Sequence, residues 1–231
     1  MNKAVARWLP ALTVASAMLA IANGAWALDH RALLFVFKPL TTLLIIAHAW
    51  SRGTDTPSVR RFVLAGLWFS LAGDVALLWP QQGFVPGLVA FLIAHVLYTL
   101  AFTREQRFAA QPAALAVYAL IATSILAVLW STIPAGLHIP VAAYVLALTL
   151  MAAQAAVVGL RTQGDDSRRA RGLMIGGALF MASDTVLAVN RFALPLPAAG
   201  LWILATYWGA QWLIASWLKA PQVASAKAHI A

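Results

Sequence analysis

Seven of the 231 residues are acidic, and two of them, Asp74 and Asp184, fall inside long apolar runs. Lys38 and His95 do the same. An ionisable side chain in hydrocarbon costs several kcal/mol and normally faces a bundle interior or a wet cavity. At ~1.5 Å of rise per residue, Asp74 lies ~7.5 Å from the outer end of its run, and Lys38 and Asp184 lie ~9 Å from theirs. His95 sits near the middle of its run with Tyr98 one turn on, and Tyr207 and Gln211 are one turn apart at similar depth. Independent runs therefore bring groups able to give or take protons to a common level, as a shared pocket requires. A chain of such carboxylates suits a proton relay or transporter as well as an enzyme. Structural readings stand beside these: Lys38 snorkelling outward, and tyrosine, glutamine and aspartate as interhelical hydrogen bonds.

Other chemistries find little support. The chain has no cysteine, which removes disulfides, thiolate nucleophiles and cysteine-ligated metals. A zinc hydrolase needs several imidazoles plus a carboxylate, and only His95 lies deep in a run, so neither metal nor organic cofactor is expected. Ser70 precedes Asp74 by one turn but sits in no G-x-S-x-G. No run carries the central Gly/Pro break of a discontinuous transport helix, which counts against a transporter.

The elements that must position these residues are membrane helices. Apolar residues make up 62% of the chain and charged residues 10%, against ~45–50% and ~25% in soluble domains. A spanning helix needs ~20 mostly apolar residues. Eight stretches qualify, at about 8–28, 32–50, 61–79, 84–103, 112–130, 137–160, 172–190 and 198–218. They form one domain over residues 1–231, an all-α membrane protein of eight transmembrane helices. Lys3, Arg7, Arg52, Arg60, Arg61, Arg104, Arg107, Arg161, Arg168, Arg169, Arg171, Lys219 and Lys227 fall on one side of that alternation, and only Arg31 and Arg191 on the other. By the positive-inside rule both termini are cytoplasmic. The net charge of +9 thus marks sidedness and implies no nucleic-acid partner. Trp8, Trp50 and Trp217 at one level, and Trp26, Trp79, Trp130 and Trp202 at the other, suit an aromatic belt.

Two further readings concern organisation. The basic start, the apolar run and Ala25-Trp26-Ala27 resemble a signal peptide; the length of the run favours an uncleaved helix. Gly66 to Asp74 and Gly177 to Asp184 share a small residue before the aspartate and a leucine three positions after it. Two four-helix halves in parallel repeat would account for this.

Taken in order, several segments resemble the YhhN-type family of multi-pass membrane proteins, which includes lysoplasmalogenases. They are Lys38-Pro-Leu-Thr-Thr42, Phe69-Ser-Leu-Ala-Gly-Asp74, Phe84-x-x-Gly-Leu88 leading into Ala94-His95-x-x-Tyr98, Phe180-Met-Ala-Ser-Asp184 with Arg191-Phe192, and Tyr207-x-x-x-Gln211. The resemblance implies an eight-helix enzyme of the bacterial inner membrane. It would cleave the vinyl ether of a single-chain (lyso) ether phospholipid, drawn from among the membrane lipids, to a fatty aldehyde and a glycerophospho-alcohol. Protonating an enol ether on carbon creates an oxocarbenium ion that water captures. Asp74 and Asp184 are the expected catalytic acid and base, in either order, as glycosidases use two carboxylates. Lys38 would hold the ionised partner or bind the substrate phosphate, and His95, Tyr98, Tyr207 and Gln211 would position water and glycerol. Arg191 would receive the phosphate. A proton-coupled permease and a non-catalytic lipid-binding protein are the alternatives.

Overall fold

The structure is a computed structural model and describes residues 3–25 and 31–220. Eight α-helices follow in order: α1 (Lys3–Ala25), α2 (Arg31–Trp50), α3 (Pro57–Ala76), α4 (Phe84–Phe102), α5 (Pro112–Leu129), α6 (His138–Arg161), α7 (Ser167–Phe192) and α8 (Ala199–Trp217). Each apolar run is thus a helix, and no strand occurs among the described residues. By length and composition α2, α4, α5, α6 and α7 are long and apolar enough to cross a membrane. Trp26 and Lys227 lie outside the described residues, as does most of the Ala25–Ala27 junction.

Two boundaries differ from the apolar runs for physical reasons. Helix α7 starts at Ser167 instead of about residue 172, because hydropathy marks hydrocarbon and not helix, and Arg168, Arg169 and Arg171 are ordinary helix formers. Helix α3 begins with Pro57 in its first turn, where a missing N–H costs nothing. It stops at Ala76, short of residue 79, as Leu77, Trp79 and Gly83 donate to Gly73, Ala76 and Trp79 in a tight reversal. A side chain at Gly83 would collide with the Ala76 carbonyl. Asp74 consequently occupies the last turn of α3.

The bundle runs up and down. At one end Gly53 N donates to Lys219 O (2.8 Å), Arg52 Nε to Leu218 O (3.0 Å), and Lys219 Nζ pairs with Asp166 Oδ2 at 3.0 Å. Gln154 Nε2 holds Gln106 O at 2.9 Å near the same end. This is the arginine-rich end. At the other, Phe35 meets Trp79 and Phe84 meets Phe192, edge to face.

Helix α6 is central, packed on α4, α5 and α7. The α3–α4 pair is close because Gly66 lies under the Tyr98 ring and Gly73 under the Phe91 ring, where any Cβ would overlap the aromatic atoms. Small residues allow such approach in a medium that gives helices no hydrophobic drive toward each other. The two outer helices differ. Helix α1 packs on both α2 and α8, with Ser16 and Thr41 hydroxyls 2.8 Å apart. Helix α5 packs on α6 and lightly on α7, without a comparable seam to α4. Trp8, Trp50, Trp79, Trp130 and Trp202 are exposed, as belt residues should be, whereas Trp217 is buried edge-on against Phe102.

Candidate active site

Asp74, at 1% exposure, is enclosed by donors. Thr42 Oγ1 donates to its Oδ2 at 2.6 Å and Tyr207 OH to the same oxygen at 2.8 Å. Lys38 Nζ lies 3.7 Å from Oδ1. The chain of bonds continues behind Tyr207: Gln211 Nε2 donates to the Tyr207 hydroxyl (3.2 Å), Tyr98 OH donates to Gln211 Oε1 (2.8 Å), and the Ser70 hydroxyl is 3.3 Å from Tyr98. Trp208 Nε1 steadies Thr42 at 3.3 Å. All these side chains are buried. Two hydroxyls thus donate to one carboxylate oxygen and an ammonium faces the other, an arrangement suited to a buried anion.

Asp184 stands in a second cluster. Tyr144 OH donates to its Oδ2 at 2.5 Å. His95 Nε2 is 3.1 Å from the same phenol oxygen and 3.7 Å from Asp184 Oδ2. His95 is wholly buried, and its Nδ1 has no partner among the described residues. Asp184 and Tyr144 line an apolar cleft enclosed by α4, α5, α6 and α7. Leu88, Phe91, Leu126, Val145 and Leu148 belong to its walls, and Ala122, Thr149 and Met181 lie at its inner end. Arg191 lines the cleft at the bundle end poorer in arginine, its guanidinium 4.9 Å from the Phe84 ring centre.

Aromatic rings separate the clusters. Phe180 meets His95 at 4.7 Å and Tyr207 at 5.5 Å, and Phe91 meets Tyr207 at 5.7 Å and Phe180 at 6.4 Å, all near edge-to-face. Phe91 faces the cleft and touches the Asp74 side as well.

The residues singled out in the sequence therefore divide into two groups. Lys38, Asp74, Tyr98, Tyr207 and Gln211 form one network, none of them lining the cleft. His95, Asp184 and Arg191 belong to the other side, two of them on the cleft wall. Sequence reasoning passed over Tyr144, whose signal was a single phenol within the apolar run of α6. It also gave no role to Thr42, although a hydroxyl one turn after Lys38 shares its helix face. Among the described residues no group of three His, Asp or Glu side chains converges.

Known proteins extend this picture. Lysoplasmalogenase TMEM86A of Homo sapiens is 35% identical over 178 residues, covering 75% of this chain and 71% of the relative. Lysoplasmalogenase TMEM86B of Homo sapiens is 39% identical over 153 residues, covering 66% of this chain and 61% of that one. A protein of Escherichia coli O157:H7, described as uncharacterized membrane protein YhhN, is 41% identical over 71 residues, 31% of this chain and 34% of its own. No solved structure matches. A family model, the YhhN family, matches residues 33–218, a stretch that contains both carboxylate clusters and the whole cleft lining. The chain is a multi-pass membrane protein and belongs to the YhhN family.

Proposed function

We propose that this chain is a lysoplasmalogenase-like hydrolase that cleaves the vinyl ether of a single-chain ether phospholipid. The observation that carries the reading is the cleft: a largely apolar lining that includes one carboxyl group, Asp184, and one guanidinium, Arg191. Asp184 and Arg191 are seven residues apart on α7, ~10 Å along the axis. A phosphate at Arg191 would leave the glycerol between them and the vinyl ether at Asp184. The names of the human relatives point to the same bond.

In this reading neutral Asp184 transfers its proton to the vinyl carbon on the tail side, and the ether carbon becomes an oxocarbenium ion. Water adds to that carbon and returns a proton to the Asp184 carboxylate, giving a hemiacetal. Its collapse yields a fatty aldehyde and a glycerophospho-alcohol, and the acid is restored. One carboxyl thus acts first as acid and then as base, as the acid of a retaining glycosidase does. Asp74 serves in this reading as the second, anionic carboxylate, with Lys38 as its counter-ion. Lys38 meets its Oδ1, while Oδ2 accepts from Tyr207, whose ring packs against Phe91 and Phe180. In this reading its charge, behind the Phe91 and Phe180 rings, favours the transient cation in a low-dielectric setting.

The wider architecture belongs to the same proposal. Eight helices cross the bacterial inner membrane as a single domain, with the arginine-rich end and both termini cytoplasmic, so the cleft opens in the outer half. A parallel repeat is supported by the exchange of partners: Asp74 of α3 takes its partners from α2 and α8, and Asp184 of α7 takes its partners from α6 and α4. Each helix then has its counterpart four helices on.

Aldehyde release by purified protein from a vinyl ether lysophospholipid in detergent tests the activity. Release in micelles with no ion gradient is expected. Activity found only in sealed vesicles would replace the hydrolase by a transporter, and neither would leave a lipid-binding protein.

A further inference from the structure

We infer that Tyr144 is a positioning residue that decides which oxygen of Asp184 carries the acidic proton; the inference rests on the reading of Asp184 as the acid. A phenol has one hydrogen to give, and that of Tyr144 goes to Asp184 Oδ2 at 2.5 Å. The phenol oxygen can then only accept from His95 Nε2, 3.1 Å away, so Nε2 carries a hydrogen. The opposite tautomer would bury an N–H at Nδ1, where no described residue accepts it, and orphaned buried N–H groups are rare. The chain of donors therefore runs one way, from His95 through Tyr144 to Asp184 Oδ2.

That direction has a chemical result. Oδ2 is an acceptor whether Asp184 is ionised or neutral, so the proton of the neutral acid sits on Oδ1. No described residue hydrogen-bonds Oδ1, and Asp184 lines the cleft. Tyr144 is itself buried and packs edge-on against His95, ring centres 5.2 Å apart, which keeps the phenol in place. Without the hydroxyl, Oδ2 loses its donor and is free to carry the proton itself, off the reaction path.

The test uses the purified full chain in detergent with a vinyl ether lysophospholipid. Tyr144→Phe is expected to lower kcat about 10- to 100-fold, the scale of losing an aligned geometry, with KM held within about twofold. His95→Gln keeps an N–H that can donate to Tyr144 and should retain most of the wild-type kcat, whereas His95→Leu should fall to the Tyr144→Phe level. The double variant Tyr144→Phe/His95→Leu should be no slower than either single one, because both break one chain. An active wild type beside an unimpaired Tyr144→Phe overturns the inference alone, as does His95→Gln falling as low as His95→Leu. A wild type that releases no aldehyde overturns the hydrolase reading and this inference together.

Discussion

Asp74 and Asp184 follow a glycine and a serine near corresponding points of α3 and α7. Each accepts a tyrosine hydroxyl on Oδ2, and each has a basic nitrogen 3.7 Å away. They differ in what lies beyond. Around Asp74 the donors are complete and the space is filled, with α1 seated across α2 and α8. Around Asp184 the position corresponding to that seam, between α5 and α4, is not closed, and the cleft occupies it. On the proposed reading, the carboxylate with its partners and no access is a fixed charge. The one with a side left to a cavity is the reagent.

The comparison is sharpest when each aspartate is replaced by its amide. Asp184→Asn removes the proposed proton donor and should lower kcat about 10²- to 10⁴-fold, the usual worth of a general acid, with the fold intact in thermal denaturation. Asp74→Asn should act first on stability, because it strands the Lys38 ammonium in the interior, a loss of about 3–5 kcal/mol. Combining it with Lys38→Met should restore most of that stability while kcat stays low. Recovery of kcat in the double variant would reduce the Lys38–Asp74 pair to a structural one. Two amide variants with the same profile would erase the distinction between the clusters.

Smaller effects probe the mouth of the cleft and the opposite end. Arg191→Ala should raise KM about 10-fold, the lower end of a lost charge-assisted hydrogen bond, with kcat unchanged. An alkenyl glycerol lacking phosphate should not notice the substitution. At the arginine-rich end Asp166 bonds Lys219 and then Arg169, and these cations hold its carboxyl below the usual aspartate range. Its contribution to stability is present above the unfolded value of about 3.9 and fades as pH falls through the lower folded one. The group is partly exposed, so Asp166→Asn should cost less than about 1 kcal/mol at neutral pH, read as a small drop in melting temperature that salt removes.

Much of this was written in the sequence. Eight helices followed from the length of apolar chain that hydrocarbon demands, and Lys38, Asp74, His95 and Asp184 stood out because ionisable groups in such runs are costly. Pairing was not legible. That Lys38 meets Asp74 and His95 meets Asp184 depends on how each helix is rotated and which helices adjoin, and axial depth carries neither. Depth alone therefore suggested one pocket where Phe91 and Phe180 separate two clusters. Tyr144 was hidden by its commonness, since a phenol in an apolar run is usually a simple interhelical bond. Trp217 shows the converse: sequence position put it at an interface, and packing against Phe102 put it inside.

The most direct measurement is the fate of solvent oxygen when purified protein turns over a vinyl ether lysophospholipid in water labelled with heavy oxygen. Protonation on carbon followed by attack of water on the alkenyl side leaves the original ether oxygen in the glycerophospho-alcohol, which should carry no label. Label in that alcohol would show attack on the glycerol carbon and contradict the mechanism assigned to Asp184.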